Sequence, residues 1–268
     1  VKTSRLKNII IAILALANAC LLVLLVSRRV QERSVRGRAV TELVRLYAAH
    51  GVELPESLVP TRDVQPASVD PSRDLDAEAA FAAAILGSCK KEEVGGGIYR
   101  YAGAAGQCLL RSSGVVEATL DRPVGDAEAF FESLFGDYGY AALSSDINAG
   151  SGKVVAARRL PSGAFVFNAE LTLTFSRNHL IAVAGSFVPA AEPEVREDGV
   201  DGITALVRFL DYSTASGEVC TSVTDVRSGY LLQSTASVSQ HLIPAWCVTT
   251  DVNSYYVNML TGEVTREA

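Results

Sequence analysis

The feature that most constrains this chain is an apolar run near its start. From Ile9 to Val26 only Asn18 is strongly polar. Wound as a helix at about 1.5 Å per residue, the run covers about 27 Å, close to the roughly 30 Å hydrocarbon core of a bilayer. A cleaved signal peptide, a lipoprotein signal and a buried core helix compete with a membrane span. Cleaved signals carry a shorter apolar core of roughly 7–15 residues and then a small-residue site. Here the nearest site, Ala17-Asn18-Ala19-Cys20, is followed by Leu21 through Val26, all apolar, so cutting there leaves an apolar end in water. The expectation is a retained transmembrane helix over residues 9–26, in contact with the lipid bilayer, behind a short tail at 1–8.

Charge does not orient that helix. Lys2, Arg5 and Lys7 precede it, whereas Arg28, Arg29, Arg33, Arg36 and Arg38 follow it with Glu32 alone against them. Counted literally, the positive-inside rule keeps the large domain in the cytoplasm. A short tail has little to translocate, however, and a basic segment before an apolar run is also how export begins. Beyond the run the chain holds 21 basic and 30 acidic residues, a balance of −9. With no basic stretch outside the membrane flanks, no nucleic acid partner is expected.

The rest reads as a folded α+β protein. Hydrophobic residues make up 49% and charged residues 20%, ordinary globular usage, and the mean hydropathy of +0.22 owes much to the apolar run. Residues 27–73 read as a stalk helix and a Pro-rich linker or irregular ordered loop. In the stalk, Val40, Leu43, Val44 and Tyr47 share one helical face and Gly51 is the stop; Pro55, Pro60, Pro66 and Pro71 then punctuate a stretch with no apolar period. From Asp74 onward one plan recurs three times, a short helix and then antiparallel hairpins, giving subdomains at 74–123, 124–190 and 191–268. The expected helices begin at Asp76, behind Asp126 and behind Asp201, and the first two stop at Gly87 and Gly136.

Catalytic and metal signatures are missing from the sequence. His50, His179 and His241 lie far apart and outside any His-x-x-x-His pattern. Gly150-Ser151-Gly152-Lys153 lacks both the leading Gly and the trailing Ser or Thr of a phosphate loop and reads as a flexible turn; Gly95-Gly96-Gly97 lacks dinucleotide spacing. The acid pairs Glu92-Glu93 and Glu197-Asp198 read as solvated charge, although a glycosidase pair needs only spatial proximity. Neither enzyme activity nor a cofactor or metal is expected. Cys89, Cys108, Cys220 and Cys247 fall as two local pairs, so Cys89–Cys108 and Cys220–Cys247 can close as disulfides outside the cell, or all four can be buried thiols. A partner surface is expected along the membrane helix, where Ala12, Ala15, Ala19 and Leu22 share a face bordered by Asn18. Small residues let helices approach closely, and an amide in hydrocarbon gains about 0.6–2 kcal/mol by bonding across to a neighbour.

Short segments along nearly the whole chain resemble the YycI family. They are Lys7-Asn8-Ile9-Ile10-Ile11 leading to Asn18, His50-Gly51-Val52-Glu53-Leu54-Pro55, Phe165-Val166-Phe167-Asn168-Ala169-Glu170-Leu171, Pro244-Ala245-Trp246-Cys247-Val248, Tyr255-Tyr256-Val257-Asn258 and Thr261-Gly262-Glu263-Val264. YycI proteins are single-pass accessory regulators of the WalK-type (YycG) sensor histidine kinase of Gram-positive cell-wall control. The resemblance implies PepSY-like subdomains, an N-terminus in the cytoplasm with the main domain outside the cell membrane, no catalysis, and a membrane sensor histidine kinase with a YycH-like co-regulator as partners. The expected function is thus regulation of that two-component system through transmembrane and outer-domain contacts. The alternative is an exported binding or inhibitor module, tethered at the membrane surface, that restrains a peptidase or binds wall polymer.

Overall fold

The structure, a computed structural model, describes residues 35–61, 69, 71–190, 199–234 and 240–267. The apolar run and its small-residue face therefore lie outside the described residues. Among those described, no helix is long and apolar enough to cross a membrane.

The chain is a mixed α+β protein in which each of three helices is followed by four antiparallel strands. Helical residues 35–49, here α1, come first. Then α2 (Leu75–Leu86) leads into β1 (Cys89–Gly95), β2 (Ile98–Gly103), β3 (Gly106–Leu110) and β4 (Val115–Pro123). Next, α3 (Ala127–Tyr138) precedes β5 (Tyr140–Asn148), β6 (Ser151–Arg159), β7 (Phe165–Ser176) and β8 (His179–Ser186). Last come α4 (Gly202–Ser216), β9 (Val223–Gln233), β10 (His241–Thr250), β11 (Ser254–Asn258) and β12 (Val264–Arg266).

Local sequence sets the helix ends. The Asp74 carboxylate accepts from Asp76 N and Ala77 N, Asp126 from Glu128 N and Ala129 N, and Asp201 from Thr204 N, all at 2.8–3.1 Å. Each satisfies amides that a helix leaves unpaired and is worth about 0.5–2 kcal/mol. The cap of α2 is thus Asp74, two residues before the expected start. Helix α3 runs past its expected stop at Gly136 and ends at Gly139, which adopts a left-handed φ of 66°.

All twelve described strands join one sheet. Antiparallel pairing of β4 with β8 connects the first two strand sets, and a short parallel contact between β7 and β9 (Phe165 with Gly229, Val166 with Tyr230) connects the third. That contact is tight: a Cβ on Gly229 would lie 2.5 Å from the Phe165 carbonyl and 2.6 Å from the Phe167 ring. Only a glycine admits so close an approach of two backbones. Nearby, Asn168 continues the pairing with its side chain, donating to Leu232 O at 2.8 Å and accepting from Leu232 N at 2.6 Å.

The cores do not follow the threefold plan. Helices α2 and α3 share one apolar cluster, in which Phe81 packs against Tyr138 and Phe187 at 5.3 and 4.9 Å. A second cluster lies beneath α4 and takes in α1 through Val40, Leu43 and Tyr47. Tyr47 is fully buried and its hydroxyl donates to Leu206 O of α4 at 2.7 Å. Helix α1 is therefore built into the folded body rather than standing apart from it. The Pro-rich segment is ordered where it is described, since Glu53 bridges to Ser222 beside β9 and Val69 pairs with Leu242 of β10.

Candidate functional site

The site follows from an irregularity in pairing. Along β6, alternation would put every second side chain inside, yet Ala156, Ala157 and Arg158 are buried in succession. The register jumps here: Ala157 pairs with Glu170 but Arg158 pairs with Val166, leaving residues 167–169 bulged out of β7. Bulges re-aim side chains. This one turns Arg158 inward and sends Asn168 across to β9.

Arg158 is only 4% exposed. Its Nη1 donates to the Tyr138 carbonyl and, at 2.9 Å, to the Gly139 carbonyl, the two backbone acceptors at the C-terminal end of α3. The seat exists because residue 139 has no side chain; a Cβ there would come within 2.2 Å of Nη1. The guanidinium also lies over the Tyr140 ring at 5.6 Å. Tyr140 is fixed in turn, its hydroxyl donating to Ser186 O at 2.7 Å and accepting from Val188 N at 3.1 Å. Burial pushes the Tyr140 phenol well above its ordinary pKa, which keeps that donor proton in place, and burial pushes Arg158 below the usual arginine range.

Arg158 has no carboxylate partner among the described residues, and its Nε is buried with no hydrogen bond at all. It lines a cavity of about 590 Å³ at the end of α3, walled by Tyr138, Tyr140, Pro161, Phe187 and Val188 with Asp137 at its rim. A second hollow, of about 610 Å³, opens on the face of the sheet away from the helices. There Phe167 stacks on Tyr256 at 5.6 Å, the Tyr256 hydroxyl donates to Glu267 at 2.7 Å, and half-buried Glu170 is held above the usual carboxylate range by burial and by Glu267.

The residues singled out by sequence converge on neither hollow. Ala12, Ala15, Asn18, Ala19 and Leu22 lie outside the described residues. Cys89, Cys108, Cys220 and Cys247 are all free thiols in the structure. Strand β2 separates β1 from β3, setting Cys89 and Cys108 roughly 10 Å apart, beyond the reach of a disulfide. Cys220 packs against the core beneath α4, whereas Cys247 points to the other face of β10. Burial raises every one of these thiols, Cys108 to about 12, so they are held protonated. His179 meets Asp121 at 2.6 Å on the surface, His50 just past α1 bonds back to Leu46 O, and the described residues contain no group of three or more candidate metal ligands. Gly150 makes the tight β5–β6 turn beside Ala149, both at positive φ. Sequence reasoning missed Arg158, because Arg158-Arg159 at a strand end reads as solvated charge and nothing in the residue order announces the bulge opposite.

No family model matches the chain, and no curated protein matches it. Among solved structures, an uncharacterized protein from Eubacterium rectale aligns at 12% identity with a TM-score of 0.45, over 76% of this chain and 81% of that one. The YpeB C-terminal domain of Bacillus megaterium aligns at 10% identity with a TM-score of 0.36, over 74% of this chain and 99% of that one.

Proposed function

We propose that the chain is a membrane-anchored regulatory protein whose body lies outside the cell membrane and acts by contact, without catalysis. The partner class is the one implied by the YycI resemblance, a membrane sensor histidine kinase of cell-wall control. One observation carries the reading: α1, whose described residues follow the apolar run in the chain, is seated in the core through Val40, Leu43 and fully buried Tyr47. A body held this way is coupled to its anchor through a packed helix, so displacement or rotation of one is felt by the other. A tether needs no such seat.

The alternative, an exported binding or inhibitor module on a passive anchor, is favoured by the Arg158 cavity alone. Two changes separate the readings when kinase output is measured in cells. Replacing residues 9–26 with an unrelated membrane helix, or inserting a flexible Gly-Ser segment between the anchor and α1, is expected to abolish regulation if coupling is the mechanism. Retained regulation in both variants sinks the coupling model and leaves the tether. Asn18→Leu tests the membrane face itself: it is expected to weaken co-purification with the kinase while the outer body stays folded, and unchanged co-purification removes Asn18 from the mechanism.

A further inference from the structure

We propose that the Arg158 cavity binds a carboxylate carried on an apolar body, as presented by the C-terminus of a short peptide. The proposal does not depend on the membrane reading. Its basis is an incomplete hydrogen-bond account around a buried cation. Capping of α3 explains Nη1, which is spent on the Tyr138 and Gly139 carbonyls. It does not explain the other edge of the guanidinium, where Nε is buried and without a partner. A buried donor left unsatisfied is costly, and the few found in native proteins call for a specific cause such as a ligand. The Nε–Nη2 edge is also the one that meets a carboxylate through two parallel bonds.

The surroundings narrow the ligand. Tyr138, Tyr140, Pro161, Phe187 and Val188 offer apolar and aromatic walls, and about 590 Å³ lies within the range of small-ligand sites. Such a space takes the last few residues of a peptide, not a folded domain. The backbone carbonyls ending α3 turn the negative end of the helix dipole toward the cavity, and Asp137 adds a negative charge at the rim. One guanidinium in that field balances a single negative charge, which selects a carboxylate over a phosphate dianion. Nε is the buried atom of the free edge, and Pro161 of the exposed β6–β7 turn borders the cavity.

The test is equilibrium dialysis of the detergent-solubilised full chain against a pool of N-acetylated apolar tripeptides, each present as free acid and as C-terminal amide. At least tenfold preferential retention of the acids is expected, undisturbed by equimolar inorganic phosphate. Arg158→Gln is expected to erase the preference while circular dichroism stays unchanged. Should that variant not fold, Arg158→Lys keeps the charge, loses the fork, and is expected to lose most of the preference. Equal retention of acids and amides by the unmodified chain overturns the proposal, as does displacement of the acids by phosphate or a preference that survives in a folded Arg158→Gln chain.

Discussion

Among the arginines drawn into this fold, Arg73 and Arg158 are treated differently. Arg73, in the turn before α2, meets Glu78 through two bonds of 2.7 and 2.9 Å, donates further to the carbonyls of Gly97 and Leu110, and lies over Tyr99. Arg158, at the end of β6, has two carbonyls and an aromatic ring but no carboxylate. The first charge is neutralised by the chain itself, and its role is complete: it clamps the start of a helix onto a hairpin. The second is set only against two helix-end carbonyls and an aromatic ring, and its Nε is left without an acceptor, a cost that folding alone does not reward. A difference of this kind separates a structural ion pair from a site awaiting a partner.

The contrast is broken most strongly from the Arg73 side. Glu78→Ala strands a desolvated guanidinium, and removing one partner of a buried pair costs about 3–5 kcal/mol. Urea unfolding is expected to show a loss of that size. An Arg73→Met, Glu78→Leu double variant should recover much of it, because no charge is then left unpaired. A loss under about 1 kcal/mol for Glu78→Ala would mean that the two arginines differ little.

Next in size is Gly139→Ala, which fills the seat of Arg158. Left-handed backbone costs a residue with a Cβ about 1–2 kcal/mol, and here the Cβ also meets Nη1 at 2.2 Å. Gly217, which ends α4 with φ 70° and open space around it, supplies the control. Gly217→Ala is expected to pay the backbone cost alone. The excess for Gly139→Ala, measured again in an Arg158→Met background, reports how firmly the guanidinium is held; equal losses at both glycines would mean that it moves aside freely.

How much of this was legible beforehand differs between scaffold and site. The caps at Asp126 and Asp201, the Gly87 stop and the threefold alternation of helix and strands follow from local chemistry, and the α+β class follows with them. Strands β1 and β5 left no signal, because Cys89–Gly95 and most of Tyr140–Asn148 are exposed and polar, as suits strands that end a sheet. Gly229 lies inside β9, where the glycine is needed for the approach of β7 rather than for chain reversal. The candidate site depends on a shift of register between strands and on a helix running to Gly139, and pairing partners are not encoded in any one window of sequence. The cysteines mislead for the same reason: proximity along the chain says nothing of an intervening strand.

A smaller effect sharpens the comparison with a charge of opposite sign. Glu170 has no cationic partner among the described residues, and burial and Glu267 hold its pKa up. A carboxyl group whose pKa is higher in the folded state favours folding most below its unfolded pKa of about 4.3, and this contribution fades as pH rises through the folded value. Gln resembles the protonated acid at every pH. Glu170→Gln is therefore expected to raise stability at pH 7 by under about 1 kcal/mol, with the gain vanishing as pH falls below about 4. Paired unfolding curves across that range test the sign, and a loss at pH 7 would show that the ionised form is favoured in the fold.

Smallest of all, and most telling, is Arg158→Met. Methionine fills the same space with a flexible apolar chain, and no carboxylate is left behind to be orphaned. What is lost is the Nη1 bonding to two carbonyls and the contact with Tyr140, and what is gained is relief from burying a charge whose Nε has no acceptor. These terms oppose one another, and replacing a poorly compensated buried charge with an apolar residue is often neutral or favourable. The net change in unfolding free energy is expected to stay within about 1 kcal/mol of zero, set against the far larger loss from Glu78→Ala. A loss of about 3 kcal/mol or more would make Arg158 a structural clamp like Arg73, and the reason for reading its cavity as a binding site would go with it.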